Sequence, residues 1–143
     1  MSVTVSVDLD APIDEVWADV ARLGTHVDWM ADAESITFAT HQESGVGTVM
    51  EVLTKVGPLS TRDIIEITEW EEQKLIGVEH RGVVRGTGRF VLEPIDAGRT
   101  RFTWNEDLDM PWYFGGKLGS PISDRALEMI WRRNLRRLQA RFV

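Results

Sequence analysis

Cysteine is absent from the 143 residues, which excludes disulfides, thiolate metal sites and a cysteine nucleophile and suits a reducing compartment. Nor does a basic start or an apolar run of signal-peptide length follow Met1, because the chain goes straight into SVTVSVDLD. A cytoplasmic protein with no stable membrane insertion is the expectation. Positive charge is in the minority, 16 Lys and Arg against 23 Asp and Glu, with a net charge of -7. That balance argues against a nucleic-acid partner, since phosphate binding needs a cationic footprint that releases counterions. Histidine is scarce as well: His26, His41 and His80 stand far apart, without a second ligand two to four residues away, so no metal is expected. No serine sits in a nucleophile-elbow context, and Gly116-Lys117 is no phosphate loop, because Leu118 follows it and Pro111 stands where the earlier glycine belongs. No cofactor is expected.

What the chain does have is large aromatics and alternation. Six tryptophans against one tyrosine suit a roomy apolar interior. Val3, Val5, Val7 and Leu9 alternate with polar residues, the period of a half-buried strand. The period then changes. Pro12 can open a helix carrying Ile13, Val16, Trp17 and Val20 on one face, with Asp14 and Glu15 in its first turn and Gly24 as a stop. A second short helix is expected from Thr25, carrying His26, Val27, Trp29 and Met30.

From Ser35 to Asp109 the chain reads as six strands: Ser35 to Thr40, Val46 to Lys55, Leu59 to Glu69, Lys74 to Arg81, Val84 to Glu93 and Thr100 to Asp109. Every link is of hairpin length, so the sheet should be antiparallel. The end of the chain predicts a long helix, with Ser120 as N-cap, Pro121 at its first position and Asp124 in its first turn. Leu127, Trp131, Leu135, Leu138 and Phe142 fall in a stripe about 80° wide at 100° per residue, while Arg132, Arg133, Arg136 and Arg137 point elsewhere. With Arg141 these form the main basic cluster, read as a solvated face paired to the acidic remainder, or otherwise as a phosphate or lipid-headgroup site. With no repeat, low-complexity tract or linker, a single domain is expected over residues 1–143.

Alternation also sorts the faces. In the last strand Phe102, Trp104, Glu106 and Leu108 share one side, and Arg101, Thr103, Asn105 and Asp107 the solvent side. Gly86, Gly88, Phe90 and Leu92 point inward before it, so two inward positions carry no side chain and leave room for a bend or a ligand. Ile76, Val78 and His80 point in, as do Asp63, Ile65 and Ile67. The register of Val46 to Lys55 is open, since Met50/Val52 and Val49/Leu53 would both serve.

The segments APIDEVWADVARLGTHVDW (11–29), GVGT (45–48), ITEWEE (67–72), GRF (88–90), TRFTW (100–104) and WRRNLRRL (131–138), in this order of elements, carry a resemblance over the whole chain. It resembles the START and Bet v 1-like (SRPBCC) superfamily, and more narrowly its bacterial polyketide cyclase/dehydrase-type proteins. The resemblance implies an α+β helix-grip fold: a seven-stranded curved antiparallel sheet wrapped around a long C-terminal helix, with two short helices after the first strand. It also implies a deep apolar cavity between sheet and helix for a polyketide, lipid or isoprenoid, in a monomer or homodimer. Some relatives only bind ligands, some cyclise and dehydrate aromatic polyketides, and some are toxin-like or stress-related interaction proteins. The family has no universal catalytic motif to carry across.

Three polar residues should face such a cavity: Asp63, His80 and Glu106. A titratable group in a low-dielectric pocket has a shifted pKa, as proton transfer beside a ketone requires, and these three are the catalytic candidates; the alternative for each is a pairing with a neighbouring backbone group or arginine, or a register one residue off that faces it to water. Candidate ligand contacts on the sheet and its insert are Trp29, Met50, Ile65, Val78, Phe90 and Trp104. On the last helix they are Leu127, Ile130, Trp131 and Asn134, although a hydrogen bond to a buried carbonyl is the favoured role for Asn134. Trp112 and Tyr113 complete the set, in a glycine-rich stretch from Asp109 to Ser120 that could be a lid or a connector.

Overall fold

The computed structural model describes residues 2–56, 58–82, 84–109 and 124–142. Strand β1 (Ser2–Leu9) leads into helix α1 (Ile13–Val20) and a 3₁₀ turn (Leu23–Asp28), followed by β2 (Ala33–Phe38), β3 (Val49–Val56), β4 (Leu59–Glu71), β5 (Leu75–Arg81), β6 (Arg85–Asp96) and β7 (Arg99–Asp109), and then by helix α2 (Asp124–Ala140). The strands form one antiparallel seven-stranded sheet in the order β1-β7-β6-β5-β4-β3-β2. Consecutive strands pair as hairpins throughout the meander, and only β1 crosses to the far side to pair with β7. This is the expected helix-grip fold.

The concave face packs on α2, whose Leu127, Trp131, Leu135 and Leu138 are buried along the expected stripe while Arg132, Arg133, Arg136 and Arg137 are exposed. The far end of α2 is tied to the start of the chain: Gln139 donates to the Asp8 carbonyl, and the Arg141 guanidinium grips Asp19 through two hydrogen bonds. The register left open in β3 is settled by β4, which sets Met50 opposite Ile65 and Val52 opposite Asp63, so Met50 and Val52 face inward.

The insert after β1 differs from expectation. Helix α1 ends at Val20, before Gly24, and Gly24 lies inside the 3₁₀ turn rather than stopping a helix. The reason is His26. Its Nε2 donates to the Val20 carbonyl at 2.7 Å, satisfying a buried end of α1 with a side chain and drawing the chain into a tight turn. The helix entry expected at Ser120 and Pro121, and the stretch with Trp112 and Tyr113, lie outside the described residues.

Candidate functional site

Between the concave face of the sheet and α2 lies a cavity of about 150 Å³. Its walls are mostly aliphatic and aromatic. Met50, Ile65, Val78, Phe90 and Trp104 line it from the sheet, and Leu127 and Trp131 from α2. Trp104 and Trp131 stack with ring centroids 5.2 Å apart, joining helix to sheet at the cavity edge.

The polar groups gather on the sheet side, where Asp63, His80 and Glu106 all line the cavity. His80 Nε2 donates to Glu106 Oε2 at 3.0 Å, and Trp104 Nε1 donates to Glu106 Oε1 at 3.0 Å. The first contact spans a whole strand, because His80 is on β5 and Glu106 on β7, two strand spacings or about 10 Å apart. Only an empty strand between them allows it. Gly88 stands directly opposite Glu106 and Gly86 opposite His80, and a Cβ on Gly88 would run into the Glu106 carboxyl group. The room left by the two inward glycines is thus filled by a polar pair.

Burial would hold the His80 charge down, but the hydrogen bond to Glu106, its charge and that of Asp63 outweigh it, and the imidazole pKa is raised. Asp63 is raised in turn, chiefly by burial and against the smaller pull of His80, Val84 and Thr54. Thr54 Oγ1 reaches Asp63 Oδ2 only at 3.5 Å. Asp63 Oδ1, His80 Nδ1 and Thr61 Oγ1 are buried without a hydrogen-bond partner among the described residues. Both Glu106 oxygens are engaged, so the free polar atoms belong to its neighbours.

Three expected contacts stand elsewhere. Trp29 is fully buried behind the wall, against His26, Phe90, Phe102 and Trp104, because the tight turn made by His26 swings it into the core. Ile130 packs on the core from the flank of α2 and does not line the cavity. Asn134, also fully buried, sits one turn beyond Trp131 and spends its amide on structure: Oδ1 accepts from the Ala31 N–H at 3.0 Å and Nδ2 donates to Asp32 Oδ1 at 2.7 Å. Asp32 lines the cavity with its pKa raised, mainly by burial. No periodicity marks it, since it lies in an irregular turn before β2. His26 reaches the cavity as well, with burial lowering its pKa to about 4.

Among the described residues no group of His, Asp and Glu is arranged to hold a metal ion, and no helix is long and apolar enough to cross a membrane. The cavity lining contains no lysine or arginine among those residues. The arrangement can enclose an apolar molecule, offer it two or three hydrogen-bonding atoms at one corner, and move a proton there.

The family described as "Polyketide cyclase / dehydrase and lipid transport" matches residues 1–143. No curated protein matches the sequence. A START superfamily protein from Mycobacterium smegmatis superposes with a TM-score of 0.76 at 11% identity, covering 99% of this chain and 96% of its own. Major latex-like protein 151 from Panax ginseng gives 0.76 at 11% identity, with coverages of 100% and 97%. The ZhuI aromatase/cyclase from Streptomyces sp. R1128 gives 0.70 at 20% identity, with coverages of 98% and 89%. At such identities the likeness is one of fold.

Proposed function

Because the chain belongs to the polyketide cyclase/dehydrase and lipid transport family, we propose that it binds a hydrophobic small molecule of the polyketide, lipid or isoprenoid class between sheet and C-terminal helix. The observation that carries this reading is the cavity, walled by apolar side chains from both layers, with most of its polar groups on the sheet side. Non-denaturing mass spectrometry of protein isolated from its own host should find an apolar compound retained. If no member of a broad panel of apolar compounds raises the melting temperature, the binding reading is lost.

The free His80 Nδ1 favours a second reading, a cofactor-free cyclase or aromatase. The catalytic residues would then be His80 and Asp63, with Glu106 a positioning residue that fixes the ring through Nε2. Neutral His80 would take a proton from a carbon next to a ketone. The carbanion would attack a second carbonyl of the same chain, and protonated Asp63 would give its proton to the new alkoxide. As the proton on His80 passes to that hydroxyl, the Asp63 carboxylate would take the remaining proton from the attacking carbon, so that a C=C bond forms, water leaves and both residues return to their starting states. Turnover of the retained compound by Glu106→Gln and His80→Ala variants tests this: two unaltered rates would eliminate the enzyme reading and leave the binding reading intact.

A further inference from the structure

Apart from Trp29 Nε1, which lies behind the wall, the buried side-chain atoms without a partner among the described residues are not scattered. Thr61 and Asp63 are two apart on β4 and face the same way, and Asp63 is the diagonal neighbour of His80, since Ile65 is the residue opposite His80. Diagonal neighbours in an antiparallel sheet are about 7–8 Å apart at the backbone, close enough for one small group to touch both side chains. Asp63 is 7% exposed, so its free Oδ1 has been taken out of bulk water. A buried polar atom without a partner costs on the order of a hydrogen bond, and a ligand that supplies the partner recovers that cost.

We propose that Thr61, Asp63 and His80 form a hydroxyl-recognition corner, and that the ligand is a neutral apolar alcohol or phenol and not a carboxylate, phosphate or ammonium lipid. This rests on the binding reading above. A hydroxyl is the small group that donates and accepts at once, which suits a corner offering a carboxyl oxygen, a ring nitrogen and a threonine oxygen. An anionic head group would meet Asp32, Asp63 and Glu106 with no lysine or arginine in the described lining to receive it. A cation would stand beside His80, whose raised pKa favours its own positive charge, and beside Asp63, whose raised pKa favours the neutral acid. Of the other carboxyl groups in the described lining, Glu106 already accepts two hydrogen bonds, and Asp32 accepts one from Asn134 while burial raises its pKa.

Isothermal titration calorimetry of the full chain with four probes on one skeleton tests this: 2-naphthol, 2-methylnaphthalene, 2-naphthoate and 2-naphthylmethylammonium. Binding of 2-naphthol about tenfold tighter than each of the other three is expected, with the preference over 2-methylnaphthalene lost in Asp63→Ala. Equal binding of 2-methylnaphthalene would mean that solvent, not ligand, satisfies these atoms, and would overturn the proposal while the cavity remained a binding site. Tighter binding of the carboxylate or the ammonium probe would overturn it in favour of that head group. Absence of binding by all four would remove the binding reading along with it. The wild-type series stands without the variant, should Asp63→Ala fail to fold.

Discussion

The interior has two ends made from the same sheet and the same helix, and they are built on opposite terms. Around Trp29, the rings of His26, Phe90, Phe102 and Trp104 meet at centroid distances of 5.2 to 6.1 Å and fill the space. Around Glu106 the strand between is stripped to glycine, the Glu106–His80 pair takes that room beside the cavity, and three polar atoms have no partner among the described residues, against Trp29 Nε1 alone at the filled end. Each end holds one histidine, His26 buried and His80 partly buried. His26 is neutral structure, its N–H spent on the Val20 carbonyl, whereas His80 is drawn toward its charged form by Glu106 and Asp63. The lesson is that burial alone does not make a histidine functional. What separates the two is the group that the ring bonds: His26 Nε2 holds a backbone carbonyl, whereas His80 Nε2 holds a carboxylate.

The sharpest way to break this contrast is to remove a ring at the filled end. Trp29→Ala should lower stability by about 3–5 kcal/mol, because the surrounding rings cannot collapse into the gap, while Val78→Ala at the open end should cost only about 1 kcal/mol. Urea midpoints of the two variants, at unchanged m, measure both; equal losses would mean the open end is packed as tightly as the other.

Next in size is the opposite pH behaviour of the two histidines. The His26 pKa is lower folded, about 4, than unfolded, 6.5, so the unfolded chain binds more protons between those values and stability falls as pH drops through that window. At 1.36 kcal/mol per pKa unit the fall is about 3 kcal/mol, and His26→Phe should flatten it. His80 has the reverse sign. Its folded pKa is raised, so its contribution is full below 6.5 and is lost as pH rises through the folded value. Stability measured by urea from pH 4 to 8 should show His80→Gln flattening the alkaline side only.

Gly88→Ala should cost about 1–3 kcal/mol by overpacking, and should push the Glu106 carboxyl group away from His80. An NMR titration should then show the His80 pKa falling, with that of His26 unmoved. A His80 pKa that stays raised would mean another group holds its charge. The smallest effect belongs to the outer face of α2, where Arg132 pairs with Glu128 at 2.9 Å in solvent; Arg132→Ala should cost less than about 1 kcal/mol, less still in high salt.

The site was legible in the sequence in proportion to the regularity of the backbone beneath each residue. Asp63, His80 and Glu106 lie on strands whose alternation assigns a face directly, and the structure lines the cavity with all three. Asp32 lies in an irregular turn with no period to assign it a face. Asn134 was visible at the edge of the α2 stripe, but its bonds to Ala31 and Asp32 join segments about a hundred positions apart, which no local pattern encodes. Trp29 followed the helical period expected after Thr25, and the 3₁₀ turn closed by His26 put it behind the wall instead.

By itself the sequence determined the strands, the faces of β4 to β7 and the buried stripe of α2, because side-chain period is a local property of strand and helix. The pairing of β1 with β7, the inward register of β3 and the reach of Glu106 across β6 to His80 were decided by tertiary structure. Those depend on which strands lie side by side and on what the strand between them leaves empty.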